Sequence, residues 1–311
     1  MISWRYHVVS LVAVVLAFGL GILAGTSVLE DQFVKQLREN NAAARQERDA
    51  AVALTNVYER FVVGLQPTLR DGALVGEDVV VVTMEGVHGS AQRVVEELTA
   101  AGADVLATLS LTRRLAEPEV EENATLLGRI LGVSGSDPEA LREGVANALA
   151  VRLEVGALSQ ESDVLGDLLA EGLVTADRDL EPEALLGIGG GGQVVVVVGG
   201  GSPPDGFPEP TALLVPFTEE LVLLEVTTAA VGPSEDAYGF VSAIRDANGI
   251  QACSMVTVDD IDLVIGGITL AMAIDRFLTD ADPAVRPGGD YGIRGDSIVP
   301  GADEPPDSCR R

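Results

Sequence analysis

Cysteine and histidine are scarce. Cys253 and Cys309, His7 and His88 are the whole supply in 311 residues. Two cysteines exclude a disulfide-dense scaffold and a Cys₄ zinc site, and two histidines exclude a His-rich metal site within one chain. Lysine occurs once, at Lys35, and the formal charge is −28 with a pI near 4.2. No basic footprint exists for phosphate backbones, so nucleic acid is excluded as a partner. Aromatics make up 4% of the chain, too few for the girdles of a transmembrane barrel. Neither G-x-G-x-x-G nor G-x-x-x-x-G-K-[ST] is present.

What remains is apolar and acidic. Hydrophobic residues are 47% and charged residues 22%, a balance that excludes a disordered chain. Residues 29–66 hold six acids and five bases, and residues 1–28 only Arg5, so the whole net charge of −28 falls on residues 67–311. Such an excess serves as a solvating surface or as a surface that attracts cations.

Val8 to Leu29 is an uncharged 22-residue run, long enough to cross a bilayer as a helix. It exceeds the 7–15 apolar residues of a cleaved signal peptide, and Ala24-Gly25-Thr26 is a poor cleavage site. Arg5 precedes it while Glu30 and Asp31 follow. The positive-inside rule therefore predicts a cytoplasmic N-terminus and an extracytoplasmic C-terminal domain. Residues 1–29 are expected to be this N-terminus and an uncleaved transmembrane signal-anchor. Gly21-x-x-x-Gly25 fits a small-residue packing motif between helices.

Residues 30–66 hold no proline, and no glycine before Gly64. They predict a helical stalk. A heptad places Val34, Asn41, Arg48, Thr55 and Val62 at a, and Leu37, Ala44, Ala51, Tyr58 and Leu65 at d. The polar centre of the a column predicts a weak coiled coil or a solitary helix. A homo-oligomer through the membrane helix and stalk is one expected assembly.

Residues 67–280 predict an acidic α/β domain with a mostly parallel sheet. Strands are expected at Asp78–Met84, Val105–Leu111, Gln193–Val198, Leu221–Thr227 and Ala252–Val258. Helices are expected at Ser90–Ala101, in pieces over 118–174 with a start at Asp137-Pro138-Glu139, and at Glu209–Glu220, Ala237–Asn248 and 264–279. Residues 281–311, rich in Pro, Gly and Asp, are expected to be a loop or disordered tail.

Three sets of residues are candidates for chemistry. Gly199-Gly200-Gly201-Ser202 follows the valine strand, where glycines open a phosphate nest or simply form a loop. The intruding Pro203 and Pro204 favour the loop. Met84 with His88, and Cys253 with Met255, offer soft donors of the kind Cu(I) takes, although cysteine and methionine are also ordinary core fillers. Asp259, Asp260 and Asp262 follow a strand, as a hard-cation or acid–base cluster, or as acids at the start of the next helix. No serine–histidine pairing is recognisable, and nothing in the sequence requires an enzyme.

A family resemblance covers most of the chain in order, from Met1 to Gly292. Met1-Ile-Ser-Trp-Arg-Tyr-His-Val-Val-Ser10, running into Gly19-Leu-Gly-Ile-Leu-Ala-Gly25, resembles the start of the actinobacterial copper transporter family. Leu74-Val-Gly-Glu-Asp-Val-Val-Val81 resembles its first strand after the stalk, and Ser254-Met-Val-Thr-Val-Asp-Asp-Ile-Asp262 its S-x-V-D-D-I-D signature. Asp290-Tyr291-Gly292 is similar to its late H-Y-G, with Asp290 where the family has histidine. The resemblance implies a membrane-anchored role in copper efflux or homeostasis. In mycobacteria the family is described as an outer-membrane channel. The resemblance carries no catalytic residues and makes copper the expected cargo.

Overall fold

The computed structural model describes residues 4–133, 137–157, 163–178, 180–200, 211–236, 239–247, 254–279, 288–295 and 297, with side chains except for 23–34, 39 and 88. The chain divides into two compact units, Met1–Phe61 and Val62–Arg311.

The first unit is helical. Helix α1 (Trp4–Arg70) contains the uncharged run and all of the predicted stalk and runs on into the second unit; residues 30–63 hold neither glycine nor proline, which favours helix. Trp4–Ile22 is the one helix among the described residues that is long and apolar enough to cross a membrane. Its described side chains are exposed.

The second unit is built on a seven-stranded sheet: β1 (Asp78–Met84), β2 (Asp104–Leu111), β3 (Val174–Ala176), β4 (Val194–Val198), β5 (Thr228–Val231), β6 (Val256–Val258) and β7 (Gly289–Tyr291), in the order β3-β2-β1-β4-β5-β6-β7. Every pairing is parallel except β2 with β3. β1 and β4 lie side by side, Val79 to Thr83 against Val194 to Val198, and the five valines of β4 are all buried. Continuous valine is what a strand covered on both faces demands.

The helices of this unit are α2 (His88–Ala100), α3 (Arg113–Ala116), α4 (Glu121–Leu131), α5 (Pro138–Val155), α6 (Val164–Ala170), α7 (Pro182–Leu186), α8 (Thr211–Leu223), α9 (Phe240–Asp246) and α10 (Val264–Thr279). β1, α2 and β2 form the expected βαβ unit. Gly102, at φ +98°, follows α2, where a left-handed residue is cheapest as glycine. Asp137 caps α5 by accepting from the Ala140 amide at 3.3 Å, with Pro138 in the first turn. Three of the expected helices and strands run into residues outside the description: 209–210, 237–238 and 248, and 252–253.

Two expectations are corrected. The strand expected at Leu221–Thr227 is instead the end of α8, a turn, and only then β5. Leu213, Leu214, Phe217 and Leu221 are buried at helical spacing while Leu223 is 70% exposed. The chain then turns through Glu225 at φ 60°. The strand itself is made of the small residues Thr228-Ala229-Ala230-Val231, all buried. The segment expected as a loop or disordered tail contributes β7, which extends the sheet beyond β6. A strand of three residues carries too little alternation to be seen in sequence. The same holds for β3, in a stretch that reads as helical.

Candidate functional site

Strand order reverses between β1 and β4, the switch point where open α/β sheets commonly hold ligands. The glycines there serve packing. A Cβ on Gly199 would run into the Phe240 ring, and one on Gly200, at φ +84°, would lie 2.6 Å from Pro233 Cδ. Both glycines therefore face packed protein and are required by it. Gly201 and Ser202 lie outside the described residues.

Of the soft-donor candidates, Met84 and Met255 have described side chains, and they lie apart. Met84 is fully buried at the C-terminal end of β1, and Met255 is 1% exposed just before β6. Three strand spacings separate β1 from β6, roughly 14 Å. In a parallel arrangement the two residues also sit at opposite ends of the strands, Met84 at a C-terminal end and Met255 before an N-terminal one. Cys253 and the His88 side chain lie outside the described residues. Among the described residues no group of three or more His, Cys, Asp and Glu side chains is arranged to hold a metal ion.

A polar cluster does form at the C-terminal ends of β5, β6 and β7. The β6 chain runs straight into Asp259, whose carboxylate is 5% exposed. It accepts from Arg245 Nη1 at 2.6 Å and from the Arg294 amide at 3.0 Å. Arg245 projects from α9 and closes three further contacts. Its Nε donates to Thr257 Oγ1 at 2.9 Å and its Nη2 to the Tyr291 carbonyl at 2.8 Å. Asp290 lies 3.4 Å from its Nε. The Thr257 hydroxyl in turn donates to Asp290 Oδ1 at 2.7 Å. Asp290 thus stands as an anion shared by an arginine and a threonine.

Asp262 faces the other way. It accepts from the Ser234 amide and hydroxyl, both at 2.6 Å, while Arg294 Nη2 donates to the Ser234 carbonyl at 3.0 Å. The two aspartates therefore clasp the β7 segment and the loop after β5. Gly292, at φ +111°, lies so close to Asp259 that an added Cβ would meet its carboxylate. The Tyr291 ring is buried against Gly289, and burial pushes its phenol pKa up, with Arg276 opposing and Asp290 reinforcing the shift.

Asp260 is different. It is 1% exposed, and neither carboxylate oxygen has a hydrogen-bond partner. Desolvation, with the neighbouring Asp259 and Asp262 charges, pushes its pKa up to about 6, against the pull of Arg245. The carboxylate oxygens of Asp259 and Asp262, by contrast, all accept from protein donors. Sequence reasoning singled out the aspartates but missed Arg245, Thr257, Ser234 and Arg294. These lie 12–60 residues from their partners and carry no local spacing signal.

An apolar N-terminal helix and an open α/β domain closed at its strand ends by a carboxylate–arginine cluster define the class of protein. A family model described as "Copper transport outer membrane protein, MctB" matches residues 1–298, and the chain belongs to that family. Its relatives include proteins named "Copper transporter MctB" from Mycobacterium bovis and from two strains of Mycobacterium tuberculosis. Each is 27% identical over 312 aligned positions, covering 88% of this chain and 92% of the relative.

Proposed function

We propose that the chain is a membrane-anchored envelope protein that takes part in copper efflux or copper homeostasis. Membership of the family over residues 1–298 is the observation that carries this reading. Copper enters it as cargo, and the chain acts without catalysis. The uncharged run in α1 is the anchor, crossing once with the N-terminus in the cytoplasm. The stalk spaces the acidic domain from the bilayer on the extracytoplasmic side, alone or paired as a weak coiled coil. The family description names the outer membrane. A single apolar helix spans by itself but makes no channel, so a pore requires further copies or a partner.

A deletion strain grown in moderate copper is expected to hold more copper than its parent. Equal copper content would overturn the reading.

A second reading is favoured by the cluster itself, whose Asp259 and Asp262 are occupied by protein donors. In this reading the domain is an interaction module that binds a protein partner. Crosslinked partners would then survive chelation in pull-downs, and loss of all of them with chelator would contradict it.

A further inference from the structure

Two adjacent glycines at the start of α10 each press on a different buried acid. Gly266 packs on Asp260. A Cβ there would meet the Asp260 carbonyl, and would lie 2.7 Å from Asp260 Oδ1. Gly267 packs on Glu97 of α2, where an added Cβ would come within 2.7 Å of Oε2. Glu97 is in turn held by the last turns of α1. Arg70 Nη1 donates to Glu97 Oε2 at 2.7 Å and Gln66 Nε2 to the same oxygen at 3.1 Å. The first turn of α10 is therefore wedged between Asp260 and the Glu97–Arg70–Gln66 clasp.

A buried carboxylate with no partner is costly when charged and tolerable when neutral. Asp259 and Asp262 add like charge from its own turn. Arg245 of α9 is the attracting cation, and its charge is already shared by Asp259 and Asp290. Arg294, from the β7 segment, donates to the Asp259 carboxylate and the Ser234 carbonyl. Glu97 of α2 lies beside Gly267 with its charge taken by Arg70. Of the three aspartates in the turn, Asp260 alone has neither carboxylate oxygen bonded.

We propose that Asp260 is a proton-binding lock: protonated, it lets the first turn of α10 seat against the strand-end turn; ionised, it unseats that turn and loosens the Glu97 clasp on residues 66–70 of α1. A chain of contacts gives a route for coupling, and only measured coupling establishes it.

The lock has a defined size. With a folded value of about 6 against an ordinary 3.8, an opening that exposes Asp260 becomes about tenfold more favourable between pH 5 and pH 7.5. The test uses the full chain in detergent micelles. Hydrogen exchange, corrected for intrinsic rates, is followed at residues 62–70 and 264–270 at both pH values, and carbon-13-labelled aspartate is titrated in parallel.

The expected result is one aspartate titrating near pH 6, with protection of both segments about tenfold lower at pH 7.5. In Asp260→Asn that titration disappears and protection becomes independent of pH. Full ionisation of every aspartate by pH 5 in the unsubstituted chain would overturn the proposal, and this arm does not depend on a variant folding. So would an unchanged pH response in Asp260→Asn, or a pH response at 264–270 that leaves 62–70 unmoved.

Discussion

At the scale of single residues the strand-end cluster is decided by which charges are paired. Arg245 serves two carboxylates, Asp259 and Asp290, from a side chain only 12% exposed. Replacing it with Met leaves both anions without a cation, and loss of one partner of a buried pair costs about 3–5 kcal/mol. Arg245→Met should therefore lower the unfolding free energy of the α/β unit by that amount, read as a lower urea midpoint at unchanged slope. Arg245→Lys, which keeps the charge and loses the fork, should fall between.

Asp260 makes the opposite prediction. Its folded pKa is raised from 3.8 to about 6. Its contribution is thus fully present below pH 4 and is lost as pH rises through 6. The loss amounts to at most about 3 kcal/mol. Asp260→Asn should melt above the unsubstituted chain at pH 7.5 and show no such advantage at pH 4.5. Melting curves at the two pH values check this, and an equal difference at both would contradict it.

At the scale of elements, the corrected region between α8 and β5 offers a discriminating pair. A strand would place Leu221 and Leu223 on one face. The helix buries Leu221 completely and leaves Leu223 exposed. Leu221→Ala should cost about 2–5 kcal/mol and Leu223→Ala less than about 0.5 kcal/mol. Comparable losses at both positions in chemical denaturation would restore the strand reading.

The same region shows what was legible in sequence. β1 and β4 are runs of apolar, largely β-branched residues marked off by glycine, and the central strands of a parallel sheet need just that composition. Asp137-Pro138 announced the start of α5 by local chemistry. Leu221-Val-Leu-Leu-Glu-Val-Thr-Thr228 misled, because its leucines and valines suit a buried strand as well as a helix. β3 and β7 were silent because their order comes from neighbouring strands rather than from their own three residues. The cluster was half visible. Asp259, Asp260 and Asp262 stand together in sequence, whereas their partners on α9, on the β7 segment and on the loop after β5 are assembled only by the sheet. Met84 and Met255, the two soft donors whose side chains are described, belong to strands that do not touch.

At the scale of the whole molecule, the charge is divided as sharply as the fold. Residues 1–66 carry no net charge, and the acidic excess belongs to the α/β domain and the segment after it. If that domain works outside the cytoplasmic membrane, a protease added to intact spheroplasts should digest it and spare the first residues. Protection of the domain would reverse the proposed orientation.

The most direct test of the account is cellular copper after complementation. A strain lacking the chain is supplied with residues 1–311 or with residues 30–311 behind a cleavable signal peptide, and copper per cell is measured in moderate copper. The account predicts that the complete chain restores low copper and that the unanchored domain does not. Equal restoration by both would show that the anchor is dispensable, and restoration by neither would contradict a role in copper homeostasis.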